Sequence, residues 1–214
     1  MNLRNIARNN YLKFSAFEGA QHIASEYAIY KLLEISKRFN VSSILEVGLG
    51  IGSISCAILA NSTRENLSYI GTESNSFCLR SLRKNLDEKA YDSLTIVPSI
   101  DEVNTLERKF DLVIIDGKDN NILSLANQLK TNAIIAIEGH RLDQVNDLKT
   151  IFPKAKYVHA ISSRKNDPKG NGIPGHWQGG IKLLFLNPNN YQLFYWSIEK
   201  IKTKLVYIYR KYLA

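Results

Sequence analysis

Two cysteines, Cys56 and Cys78, are all the thiol chemistry that 214 residues offer. They are too few for a disulfide framework and lack the clustered spacing of a zinc site. Long apolar runs are missing as well, since no stretch approaches the ~18 apolar residues of a membrane span. The opening, Met1 to Ser15, is polar and has no secretory apolar region. Together these absences lead us to expect a reducing, cytoplasmic setting without a readable export signal. Acidic residues are scarce at one end only. Residues 1 to 150 carry 17 Lys and Arg against 18 Asp and Glu, whereas 151 to 214 carry 11 against 2, so the formal net charge of +8 belongs to the tail. That asymmetry fits an acidic partner at one end, such as anionic lipid, nucleic acid or a phosphorylated substrate, and it equally fits a device for solubility.

The length suits one α/β domain with decorations, and 44% hydrophobic content is ordinary for a globular chain. Glu18 to Phe39 has apolar residues at spacings of three and four and predicts a helix that packs beside the sheet. Apolar runs and helical patterns then alternate. Strands are expected at 43–47, 68–72, 94–97, 112–115, 133–137 and 157–161, with helices at 51–61, 76–88, 102–107, 121–129 and 142–152. Such alternation requires a mostly parallel, doubly wound sheet covered by helices on both faces. Residues 162–180 hold too many prolines and glycines for either regular element, and predict a long loop that includes His176 and Trp177. A substrate lid is the functional reading of that loop. A last strand follows at 181–186. The chain thus divides into an N-terminal helical segment, 1–40, a central domain, 41–188, and a tail, 189–214.

Ile44 to Ser53 read as an apolar strand, an acid and glycines at every second position, leading into a helix. Gly48, Gly50 and Gly52 lack the Cβ atoms that would hold a ligand away from the main chain. Ser53 stands where the third glycine of the dinucleotide fingerprint would fall. The string Glu46-x-Gly48-x-Gly50-x-Gly52 instead resembles motif I of the S-adenosylmethionine methyltransferases, whose glycines pass under the amino-acid end of the cofactor. Glu73 ends the next strand, 25 residues after Gly48, placed to accept hydrogen bonds from both ribose hydroxyls. The resemblance implies a seven-stranded Rossmann-like fold with the last strand antiparallel, and S-adenosylmethionine as cofactor. It also implies cofactor contacts from Ser99, Ile100 and Asp101 at the adenine corner and from Gln21 near the carboxylate. Asp101 reads equally well as a helix N-cap, and Gln21 as a surface residue.

Phe110 to Gly117 is a buried strand with Asp116 at its carboxyl end, the edge where ligands bind in such sheets. The phrase resembles the fourth motif of the catechol-type O-methyltransferase branch, over residues 18 to 187. In that branch the aspartate holds a divalent cation together with an Asp-Asn pair after the next strand. Here the matching segment is Ile137-Glu138-Gly139-His140. Asp116 and Glu138 are the candidate metal ligands, yet the hard-oxygen pair is absent. Methyl transfer from a sulfonium requires an aligned acceptor and removal of its proton. The candidate bases are His140, Asp116, Glu138 and His176, with His140 first because imidazole titrates near working pH. His22 and His159 read as structural.

In the tail, Phe194, Ile198, Ile201, Leu205, Ile208 and Tyr212 form a helical stripe, reinforced by Tyr195, Trp196, Tyr209 and Leu213, with Lys200, Lys204 and Lys211 off it. Three roles stay open: packing against the domain, a homo-oligomer contact, or peripheral contact of 190–214 with anionic membrane. Nucleic acid ranks below them, because no recognised binding motif accompanies the charge. The leading expectation is O-methylation of a small-molecule or glycan-like acceptor. RNA methylation and a non-catalytic cofactor-binding module are the alternatives; no Pro-Pro-aromatic motif supports the former.

Overall fold

The computed structural model describes residues 2–212 apart from 63, 65 and 120. Leu213, counted in the stripe of the tail, lies outside the described residues. Seven strands, β1 Ser43–Val47, β2 Ser68–Thr72, β3 Leu94–Val97, β4 Phe110–Ile115, β5 Leu129–Glu138, β6 Lys156–Ile161 and β7 Gly180–Phe185, form one sheet in the order β3-β2-β1-β4-β5-β7-β6. The pairs among β1 to β5 are parallel, and β7 runs antiparallel between β5 and β6. The chain winds outward from β1 to β3, then restarts at β4 on the other side. The carboxyl ends of β1 and β4 therefore flank the crevice where doubly wound sheets bind ligands.

Among the described residues eight α-helices cover the sheet: α1 Leu3–Ser15, α2 Glu26–Arg38, α3 Ser53–Leu59, α4 Ser76–Asn85, α5 Glu88–Asp92, α6 Ile100–Asn104, α7 Leu142–Ile151 and α8 Asn190–Tyr212. One core layer joins Phe14, Leu32, Ile44, Tyr69 and Phe185 beneath α1, α2 and α8. The other joins Leu45, Ile70, Ile100, Val113 and Leu148 beneath α6 and α7. Alternate residues of β1 feed opposite layers, as the period of two demands.

Several boundaries differ from expectation. The helix expected over 18–39 begins at Glu26, because Ser25 caps it by accepting from the Ala28 amide at 3.3 Å. Ahead of the cap lies only the 3-10 turn Ala20–His22, entered through Gly19. α1 falls within the N-terminal segment expected to be helical, 1–40, but no helix was placed ahead of residue 18: its buried face needs only Ile6, Ala7, Tyr11 and Phe14, a stripe too sparse to stand out in a polar sequence. The helix expected over 76–88 splits at Asp87, which caps α5 through the Ala90 amide. The helix expected over 121–129 is a 3-10 segment, Ile122–Gln128.

The 162–180 loop is tied down. Arg8 pairs with Asp167 at 2.6 Å, the Gly172 amide donates to the Tyr11 hydroxyl at 2.8 Å, and the Asn171 amide donates to Ser15. Trp177 packs edge-on against Tyr209 of α8, 5.7 Å between centroids.

Candidate functional site

The turn after β1 is pinned to its neighbours by main-chain bonds. The amides of Asp116 and Gly117 both donate to the Val47 carbonyl, and the Leu49 amide donates to the Thr72 carbonyl. Gly48 and Gly117 sit back to back: a Cβ on Gly48 would lie 2.7 Å from the Gly117 Cα. These two glycines let the ends of β1 and β4 close together, and a Cβ on Gly52 would meet Leu82 and Leu86 of α4 and the link after it. Ligand approach was expected at all three glycines of the motif; at Gly48 and Gly52 the missing side chain makes room for the protein's own packing. Gly50 differs. Its φ is +53° and a Cβ there would meet nothing within 4 Å, so its main chain faces open space. A cavity of about 220 Å³ opens there, lined by Gln21, His22, Gly50, Asn75, Phe77 and Asp116. A larger one, about 310 Å³, lies at the opposite end of the sheet between Leu3, Leu33, Ile44 and Leu67, with no carboxylate in its lining.

Three carboxyl groups gather at this edge. Glu73 accepts from the Gly50 amide at 2.9 Å and from the amides of Ser74 and Asn75 at 2.9 and 2.8 Å. Glu46 is 1% exposed; its Oε2 accepts from the Tyr69 hydroxyl at 2.5 Å, while its Oε1 is buried with no hydrogen-bond partner. Burial lifts the Glu46 carboxyl well above the usual range, the Tyr69 bond offsets this in part, and the charges of Asp116 and Glu73 add to it. Burial also lifts Asp116 well above the ordinary value, aided by the charge of Glu138 and opposed by Arg141. An unpartnered buried oxygen, bare main chain at Gly50 and a concentration of carboxyls suit a ligand that carries both a sulfonium and an ammonium group. S-adenosylmethionine fits that description.

Two cations that the sequence reading passed over stand beside Asp116 and Glu138. The Arg141 guanidinium donates to the Asp116 carbonyl and lies 3.6 Å from its carboxylate Oδ1. Lys182, from β7, is 4% exposed and donates to the Gly139 carbonyl. Burial lowers its pKa while the charge of Glu138 pulls the other way. Glu138 accepts from the Ser25 amide at 3.3 Å and is raised by burial against the attraction of that amide, Arg141, Lys182 and His140. A hard divalent cation needs an oxygen cage. Among the described residues no group of three or more His, Cys, Asp or Glu side chains is placed to hold a metal ion. Asp116 and Glu138 do not fit the catechol-type metal, because a guanidinium is already drawn onto the aspartate.

The remaining sequence candidates separate. Gln21 lines the cavity, and so does His22, which was expected to be structural. His140 is exposed in the turn after β5, and His176 is exposed on the 162–180 loop, outside the cavity lining. Ser99 is the N-cap residue of α6; Asp101, the expected cap, lies in the first turn and accepts from the Asn121 side chain at 2.9 Å. Ile100 is fully buried, so only its main chain could meet a ligand. Lys182 did leave a signal, as a lone charge inside the apolar run Ile181 to Leu186.

No protein-family model matches the sequence, and no curated protein is similar to it. Solved structures are similar in shape. A Podospora anserina methyltransferase bound to S-adenosylhomocysteine superposes with a TM-score of 0.58 at 14% identity, over 85% of this chain and 88% of that one. An O-methyltransferase of Bacillus cereus in complex with S-adenosylhomocysteine gives 0.58 at 13%, over 86% and 90%. The Streptomyces achromogenes O-methyltransferase TomG, of tomaymycin synthesis, in complex with S-adenosylmethionine gives 0.56 at 14%, over 87% and 90%. The chain therefore has the seven-stranded Rossmann-like fold of the class I S-adenosylmethionine-dependent methyltransferases, in the form seen in these O-methyltransferase structures.

Proposed function

We propose that this chain is an S-adenosylmethionine-dependent methyltransferase that acts on a hydroxyl of a small-molecule or glycan-like acceptor. The observation that carries the reading is the turn itself: Gly50 presents bare main chain to the cavity, with Glu73 bonded to its amide and the buried, half-paired Glu46 beneath. The likeness to cofactor-bound O-methyltransferase structures supports it. The carboxyls would face the sulfonium and ammonium groups of the ligand, and Glu73 would exchange main-chain donors for the ribose diol.

When bound, the cofactor supplies an electrophilic methyl group with an activated leaving group. The chain must then place the acceptor in line and take its proton. Asp116 is the best-placed base, since it lines the cavity and burial raises its affinity for a proton. Arg141 keeps that affinity in check, and together with Lys182 it offsets the charge of the Asp116 and Glu138 pair, the task a divalent cation performs in catechol-type enzymes. Incubation of the protein with methyl-labelled cofactor and a panel of phenols, catechols and glycosides tests the reading. Transfer to a hydroxyl, lost in Asp116→Asn, supports it; transfer to nitrogen alone, or none from a cofactor that binds, contradicts it.

A further inference from the structure

α8 is fixed along its whole length by one face. The Gln192 side chain donates to the Asn132 carbonyl at 2.9 Å, and Glu199 pairs with the buried Lys31 at 2.7 Å. The Trp196 indole donates to the Tyr157 carbonyl, the Thr203 hydroxyl to that of His159, and Arg210 to that of Ser162. Five of the residues in the stripe foreseen from the sequence are on the other side. Phe194, Ile201, Leu205, Ile208 and Tyr212 are 62, 60, 60, 56 and 68% exposed. Their steps of seven, four, three and four place them in one row, which points away from the domain. The expected packing against the domain is met by Tyr195, which is 3% exposed in the core, and by the half-buried Ile198 and Trp196, while this outer row is left uncovered.

The charge around the row has one sign. Lys200, Lys204 and Lys211 follow one edge, at steps of four and seven, and all three are exposed. The one acid of α8, Glu199, is 1% exposed and bonded to Lys31 and Lys202. A second copy laid on this face would set lysines beside lysines with no exposed α8 carboxylate to answer them. A flat anionic surface complements both the row and its edge. At 23 residues α8 is about 35 Å long, which gives the apolar row the length of an interfacial helix. No helix of the described residues is long and apolar enough to cross a membrane, so α8 would lie on the surface.

We propose that the outer face of α8 is a membrane-contact surface, with the apolar row sunk among the headgroups of anionic lipid and the lysines on their phosphates. α8 leaves the amino edge of the sheet after β7 and in its last turn brings Arg210 beside Ser162, just past β6, at the carboxyl edge where the cavity opens. Contact along it sets that edge near the bilayer. The lipid contact stands independently of the methyltransferase reading; only its consequence, an acceptor carried on lipid or met at the membrane, rests on that reading.

Sedimentation of the full chain with vesicles of phosphatidylglycerol and phosphatidylcholine, against phosphatidylcholine alone, tests the proposal. The protein should pellet with the anionic vesicles only. Ile201→Glu with Leu205→Glu should abolish this. Lys200→Gln, Lys204→Gln and Lys211→Gln together should weaken it roughly a hundredfold. All these side chains are exposed, so circular dichroism and melting should not change. Protein that stays in the supernatant with anionic vesicles overturns the proposal, and so does equal binding by the Ile201→Glu, Leu205→Glu variant. A dimer seen by light scattering that this variant dissociates, without lipid binding by the parent, assigns the face to a second copy and also overturns it. Calorimetry with S-adenosylmethionine on the same variants reports on the cofactor reading separately.

Discussion

Glu46→Gln is the perturbation that most sharply separates a ligand-binding carboxyl from a structural one. Burial raises the native-state pKa of Glu46 well above its ordinary value. The native protein therefore keeps a proton that the unfolded chain releases near pH 4.3, and above that pH the native state binds more protons than the unfolded state. Stability must then fall as pH rises, by up to about 1.4 kcal/mol per pH unit, until the native carboxyl itself ionises. Glutamine keeps an oxygen for the Tyr69 hydroxyl but cannot titrate. The variant should gain on the parent as pH rises above about 5, read from urea unfolding at several pH values. Cofactor binding should move the other way. A cation facing the unpaired Oε1 of the ionised parent forms a charge-assisted bond worth about 1.5–3 kcal/mol that the amide forfeits. Binding to the parent should also release a proton, visible in calorimetry in buffers of different ionisation enthalpy. A pH-independent stability difference, together with unchanged cofactor affinity, would refute the role given to Glu46.

Glu73→Ala should cost about 2–4 kcal/mol of S-adenosylmethionine affinity. Because Glu73 also holds three main-chain amides, it should lower folding stability by about 1–2 kcal/mol as well; unchanged calorimetric affinity would place the ribose elsewhere. Millimolar magnesium should leave the melting temperature of the parent unmoved and gain a stabilising effect in Arg141→Met, which frees Asp116 from its guanidinium; a magnesium-dependent rise in the parent would show that the carboxylates hold a metal after all. Glu199→Ala strips one of two carboxylates from the buried Lys31, which keeps Glu34 at 2.7 Å, and should cost about 1–3 kcal/mol in denaturant titration; no measurable loss would show that this pair does not clamp α8.

The parallel strands were legible because each is a short apolar run between breakers, and β1, β2 and β3 lie at the residues expected. Helix boundaries were less so, since Ser25 and Asp87 decide them by local caps that compete with a longer periodic pattern. The glycine turn and Glu73 could be found from spacing alone. What Gly48 is for could not, because Gly117, its counterpart, lies far along the chain and meets it only when β1 and β4 pair. Arg141 and Lys182 escaped for the same reason: they reach the acids from a turn and from an antiparallel strand. The tail stripe was correct as a pattern, but periodicity cannot tell a face turned to the core from one turned outward. Polar residues decided that, through Gln192 and Glu199 on the opposite side.

Calorimetry of the parent and Gly50→Val with S-adenosylmethionine, S-adenosylhomocysteine and NAD tests the central claim most directly. At Gly50 the backbone is left-handed and the space beside it open, so valine adds strain of about 1–2 kcal/mol and puts methyl groups where a cofactor must approach. The parent should bind both sulfur compounds and not NAD, and a folded Gly50→Val should bind none of the three. A preference for NAD, or undiminished S-adenosylmethionine binding by the folded variant, would contradict the account.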